Sequence, residues 1–129
     1  MKKLANVLVG IVALEHIYFL VLEMFLWTTP IGLKTFNLTA EFAEQSAALA
    51  ANQGLYNGFL AAGLIWSLFS KQQAYALKVF FLVCIMTAAI FGALTAKFTI
   101  LYIQGIPALL AFIFVMLSNK QVITPKEEM

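Results

Sequence analysis

Four runs of apolar side chains, at residues 4–27, 50–69, 74–96 and 98–118, constrain this chain more than any other feature. Each is about 20 residues long or slightly longer, enough for a helix to cross roughly 30 Å of hydrocarbon. Helices are the form these runs can take in lipid, because a helix satisfies its own backbone hydrogen bonds and an open strand does not. The expected fold is therefore all-α: a four-transmembrane-helix bundle forming one membrane domain over 1–129, with an outer loop at 28–49. Composition agrees. Hydrophobic residues make up 63% of the chain and charged residues 11%, where a soluble domain carries about 45–50% and 25%. That excludes an ordinary soluble domain and a disordered one. With no arginine, a net charge of +2 and no basic cluster to track phosphates, nucleic acid is excluded as a partner. The lipid bilayer is the expected one.

The joints between runs are short: Ser70-Lys71-Gln72-Gln73 after the second, Lys97 after the third. The first loop is longer. It contains Thr29-Pro30-Ile31-Gly32, read as a turn, and then Thr39, placed to cap a helix beginning near Ala40 with Glu41 and Glu44 in its first turn. Lys2 and Lys3 before an apolar stretch resemble the start of a signal peptide. The stretch is too long for one and lacks an A-x-A cleavage site, so the first run is read as a retained helix. The polar residues 124–129 are expected to fray. Four spans put both termini on one side, with Lys2, Lys3, Lys71, Lys78, Lys120 and Lys126; Lys34 and Lys97 fall on the other. The positive-inside rule then makes both termini cytoplasmic. The lone Cys84 cannot form an intrachain disulfide and reads as a packing residue.

The first run carries Glu15, His16 and Glu23 among its apolar residues. A charge at a helix centre costs about 2.5–3.5 kcal/mol. Roughly fourteen aliphatic and Phe side chains at about 0.3–0.6 kcal/mol each return about 4–8 kcal/mol, near the cost of two glutamates. Such a helix needs protein neighbours for its polar groups, or neutral glutamates, and ionisable residues in a span usually mark a functional path. At 100° per residue, His16 and Glu23 lie about 20° apart on the helix wheel, with Glu15 about 80–100° away. Along the axis, His16 lies roughly 18 Å from the cytoplasmic end, Glu23 about 28 Å, Asn57 about 18 Å, Gln53 about 24 Å and Gln104 about 21 Å. Gln53 and Asn57 share a face at i, i+4. The expectation is a polar pocket in the outer half of the bilayer, built from three helices, with almost nothing comparable in the inner half. Singly, Gln53, Asn57 and Gln104 read as interhelical glue.

Gly54-x-x-x-Gly58 followed by Ala62 is a small-residue stripe suited to close helix packing. Trp27 and Tyr102 suit the aromatic belt. Pro107, after Gln104-Gly105-Ile106, is expected to kink the fourth helix and free the carbonyl of Ile103. No metal site is expected: there is one histidine, no H-E-x-x-H, and too few ligands around His16, Glu15 and Glu23. No phosphate loop or Ser/His/Asp set is present, and no cofactor is indicated.

Glu15-His16-Ile17-Tyr18, Leu22-Glu23-Met24-Phe25-Leu26-Trp27 and Asn52-Gln53-Gly54-Leu55-Tyr56-Asn57-Gly58-Phe59-Leu60-Ala61 together resemble domain-of-unknown-function family number 1304, small bacterial integral membrane proteins. The resemblance covers nearly the whole chain. It implies a four-helix protein of the inner membrane and carries no activity to transfer. Its signatures fall on His16, Glu23, Gln53 and Asn57, and they add Asn52 and Tyr56 to the candidate pocket.

Three functions fit these residues. The first is an outward-facing pocket for a small molecule or lipid, with proton-linked transport as one form of it. There His16 and Glu23 handle the proton and Gln53, Asn57 and Gln104 orient the ligand. The second is a non-catalytic assembly component, packing as a homo-oligomer or on a larger partner through Gly54 and Gly58. The third is a lipid- or quinone-modifying membrane enzyme.

Overall fold

The computed structural model describes residues 1–123 of the chain. Five α-helices account for most of them: α1 (Lys2–Met24), α2 (Pro30–Phe36), α3 (Ala40–Phe69), α4 (Ala74–Thr95) and α5 (Ile106–Ile123). A π-helical turn, Leu101–Gly105, leads directly into α5. No strand occurs among the described residues. The expected fraying of residues 124–129, and Lys126 with it, lies outside them.

Length and composition suit three helical stretches to crossing a membrane: Lys2–Met24, Ala74–Thr95 and Leu101–Lys120. The expected count of four is corrected to three by that measure. The stretch that drops out is 50–69, the C-terminal two-thirds of α3. It is long enough, but Asn52, Gln53 and Asn57, together with Gly54, Gly58 and Gly63, dilute its apolar side chains. Two boundaries also move. α1 stops at Met24 rather than Trp27: the Leu26 amide reaches back five residues to the Val21 carbonyl, and the chain turns. The last helix runs to Ile123 rather than 118.

The loop after α1 holds more structure than a turn. Thr29 caps α2, its hydroxyl accepting from the Gly32 amide at 3.4 Å, and Pro30 occupies the first helical position, where its missing N–H costs nothing. Asn37 ends α2 in the left-handed region, at φ 52°. A side chain at Gly32 would collide with the backbone carbonyls of Leu26 and Trp27, so the fold here requires glycine. Thr39 caps α3 as expected, accepting from the Phe42 amide at 3.2 Å.

Burial follows helical spacing. Ala5, Val9, Val12 and His16 form the buried stripe of α1; Lys78, Leu82, Ile85 and Ala89 that of α4; Ala108, Ala111 and Val115 that of α5. Spacings of three and four residues keep each stripe on one face. The prevalence of alanine lets backbones approach closely, which suits packing in lipid, where exclusion of water does not drive helices together. Large apolar side chains point outward instead: Phe25, Phe69, Phe91 and Leu94 are among the most exposed residues. Such a surface fits contact with lipid and would be a liability in water.

The chain divides into two compact units. One is Leu14–Ala62, holding the C-terminal half of α1, all of α2 and most of α3. The other joins Met1–Ala13 to the chain from Gly63 onward, and so contains α4, the π-helical turn and α5.

Candidate functional site

Within the Leu14–Ala62 unit, α1 and α3 approach closely because α3 has no side chain at two positions. A Cβ on Gly54 would lie 2.7 Å from Met24 Cγ and 3.0 Å from Glu23 Cβ; one on Gly58 would lie 2.6 Å from Leu20 Cδ1. The small-residue stripe is thus occupied by α1 of the same chain. Ala62 departs from it and is exposed, whereas Ala61 is buried. At 100° per residue, each four-residue step drifts by 40°, so Ala62 lies about 80° round the helix from Gly54, while Ala61 stays within about 20°.

That approach brings Glu23 and Asn57 together. The Asn57 amide nitrogen donates to Glu23 Oε1 at 3.0 Å, and Asn57 is itself buried. A carboxylate accepting a hydrogen bond inside an apolar assembly is the stronger, charge-assisted kind when ionised. Two turns toward the start of α1, His16 is fully buried, with Phe19 packed edge-to-face against its ring at a centroid distance of 5.6 Å. Glu15, on a different face, is half-buried, and its Oε2 is a buried atom with no hydrogen-bond partner among the described residues. One end of α1 therefore carries two carboxylates and an imidazole within nine residues.

The remaining candidates are distributed differently. Gln53, Asn52 and Tyr56 are exposed on α3. Gln104 is half-buried in the π-helical turn, in the other unit. Pro107 is the second residue of α5, directly after that turn, where the Ile106 amide bonds the Leu101 carbonyl five residues back. Trp27, expected only as a belt residue, is tied into the protein. Its indole nitrogen donates to Ser46 Oγ at 3.0 Å, and its ring lies 4.7 Å from that of Phe36. No cluster of three or more His, Cys, Asp or Glu suited to a metal occurs among the described residues.

A second tethered charge lies in the other unit, and the sequence reading passed over it. Lys78 of α4 is 6% exposed, and its Nζ donates to Asn6 Oδ1 of α1 at 2.6 Å. The pair joins the N-terminal parts of α1 and α4, where the sequence led to the expectation of almost nothing comparable to the candidate pocket. In the sequence, Lys78 bears on orientation alone and Asn6 falls within an apolar run. The signal that would have found them is the one that flagged Glu23: a polar side chain inside a hydrophobic segment.

The family described as "Protein of unknown function (DUF1304)" matches residues 10–116. The chain is also 35% identical over 115 residues to the "Uncharacterized protein YpaA" of Lactococcus lactis subsp. lactis, covering 88% of this chain and 97% of that one. The protein belongs to the DUF1304 family. No solved structure matches it.

Proposed function

We propose that the protein is an inner-membrane protein whose α1–α3 seam binds a small molecule or lipid in a proton-dependent way. The observation that carries this reading is the Glu23–Asn57 hydrogen bond: an ionisable side chain of an apolar helix meets a buried amide where Gly54 and Gly58 bring two helices together. Ionisable residues inside spanning helices are costly and tend to be kept for function. Glu23 is the proton carrier, Asn57 orients it, and His16 and Glu15 are the neighbouring groups on α1 that a bound molecule engages. In this reading α3 is the fourth span despite its polar residues, because Asn57 is covered by protein. Both termini are then cytoplasmic, with Lys2, Lys3, Lys71, Lys78 and Lys120 inside and Lys34 and Lys97 outside.

Two experiments test the reading. Native mass spectrometry of the chain purified from its membrane is expected to show a retained small molecule or lipid whose occupancy changes between about pH 5 and 8, where histidine usually titrates. That change should be abolished in Glu23→Gln and His16→Gln. Identical spectra for all three proteins at every pH would leave the seam a structural contact. For topology, single cysteines at Lys34 and Ser70 in a Cys84→Ser background should label from outside intact cells at Lys34 and not at Ser70. The reverse pattern, or labelling of both from one side, removes the four-span arrangement.

A further inference from the structure

A cavity of about 380 Å³ opens in the unit built on Met1–Ala13 and the chain from Gly63 onward, lined in part by Lys2, Asn6, Ser67, Ser70, Lys71 and Lys78. Its place is set by the ends of three helices: the first turns of α1 and α4, the last turn of α3, and the joint between α3 and α4. Three ammonium groups belong to its lining, and no carboxylate among the described residues does. The imbalance extends beyond the cavity: residues 1–13 and 63–123 contain no Asp or Glu, and Glu127 and Glu128, outside the described residues, are the acids of the remaining sequence of this unit. Lys78 is the sharpest case. It is more than nine-tenths buried, and its hydrogen bond goes to the neutral oxygen of Asn6. A buried cation without an opposite charge is expensive, and an anion in the adjoining space would offset that cost. The Ser70 hydroxyl on the wall accepts from the Gln73 amide and can donate its own proton to an anion's oxygen, whereas the Ser67 hydroxyl donates to the Leu64 carbonyl.

We propose that this cavity binds a phosphate-bearing anion, held by Lys78, Lys71 and Lys2. Volume and chemistry both suit it. Small-molecule sites occupy about 300–1,000 Å³, and basic pockets between membrane helices near the cytoplasmic face accept acidic headgroups. The phosphodiester of an acidic phospholipid and a free phosphate share this chemistry. The site is separate from the Glu23 seam and does not depend on its function.

The test uses the full chain purified in a neutral detergent, with the thermal unfolding midpoint measured against added phosphatidylglycerol, phosphatidylcholine or inorganic phosphate. A ligand that binds only the folded chain raises the midpoint in proportion to its occupancy. Phosphatidylglycerol is expected to raise it by about 3 °C or more, and phosphatidylcholine to leave it unchanged. The shift should disappear in the Lys2→Gln/Lys71→Gln double variant and persist in Lys97→Gln and in Glu23→Gln. Both lysines of the double variant are exposed, so its fold does not depend on them. Lys78→Met should abolish the shift as well, if it folds. A shift with inorganic phosphate as large as with lipid assigns the site to a soluble anion; a shift with phosphatidylglycerol alone assigns it to a headgroup. No shift with either anion, or a shift that survives Lys2→Gln/Lys71→Gln, overturns the proposal.

Discussion

The two units of this chain carry opposite charge. Leu14–Ala62 holds Glu15, Glu23, Glu41 and Glu44 against a single lysine, Lys34; residues 1–13 and 63–129 hold Lys2, Lys3, Lys71, Lys78, Lys97, Lys120 and Lys126 against Glu127 and Glu128. Each unit nevertheless solves the same problem in the same way. A charged side chain in an apolar helix is tethered to an asparagine of another helix: Glu23 to Asn57 at 3.0 Å, Lys78 to Asn6 at 2.6 Å. An asparagine amide serves either sign, because its nitrogen donates and its oxygen accepts. The difference lies in what surrounds the tether. Glu23 sits against Gly54 at a tight helix crossing, whereas Lys78 borders a cavity. The acidic tether lies at a tight helix crossing and the basic one beside an open cavity.

The largest effect should come from breaking the packed side. Gly54→Leu places a branched side chain where a single Cβ already meets Met24 Cγ, Glu23 Cβ and the Leu20 carbonyl. Overpacking typically costs about 1–3 kcal/mol and occasionally more. A backbone oxygen cannot turn aside as a side chain can, so about 3 kcal/mol or more is expected, read as loss of folded protein in detergent. Gly58→Leu should cost less, since the atom it meets is the flexible end of Leu20. Equal stability of Gly54→Leu and wild type would mean that α1 and α3 do not cross tightly.

Next come the asparagines, which compare the tethers directly. Asn57→Leu removes the donor to Glu23 and is expected to cost about 2 kcal/mol, near the upper end for hydrogen bonds between membrane helices. Asn6→Leu should cost about 1 kcal/mol, because the cavity beside Lys78 admits water that can take the place of the lost acceptor. Chemical unfolding of the two variants against wild type checks the order. A larger loss for Asn6→Leu would show that the basic tether is the packed one and would invert the comparison.

Sequence reasoning and structure part company where residue type and environment conflict. Thr39 as a cap, a helix from Ala40, and Glu23 with Asn57 as polar residues of interest were all legible, because caps and intramembrane polar groups carry local chemical signals. The small stripe was legible at Gly54 and Gly58 and misjudged at Ala62, where a four-residue step was extended past the point at which it leaves the face. Thr29-Pro30 was read as a turn although the same two residues start α2; proline and threonine are equally at home in both, and only the carbonyls around Gly32 distinguish them. Lys78 and Asn6 were missed for a different reason. A lysine near the end of a hydrophobic run usually snorkels to the interface, and nothing local to either residue shows that they meet across 72 positions of sequence.

The smallest effect on stability is expected from Glu23→Gln, and it separates the two things Glu23 can contribute. Glutamine keeps the length of the side chain and the Oε1 that accepts from the Asn57 amide, and it removes the ionisable group. If the tether is held by packing against Gly54 and by one acceptor oxygen, the unfolding free energy should change by no more than about 0.5 kcal/mol, the range of substitutions that leave such features intact. The Asn57→Leu loss should also remain when measured in the Glu23→Gln background, since an amide oxygen left without its donor is penalised as well, though less than a charged one. A double-mutant cycle over the two positions provides the measurement. A loss near 2 kcal/mol for Glu23→Gln alone would show that the negative charge itself holds α1 to α3. The acidic unit would then depend on its charge for its fold.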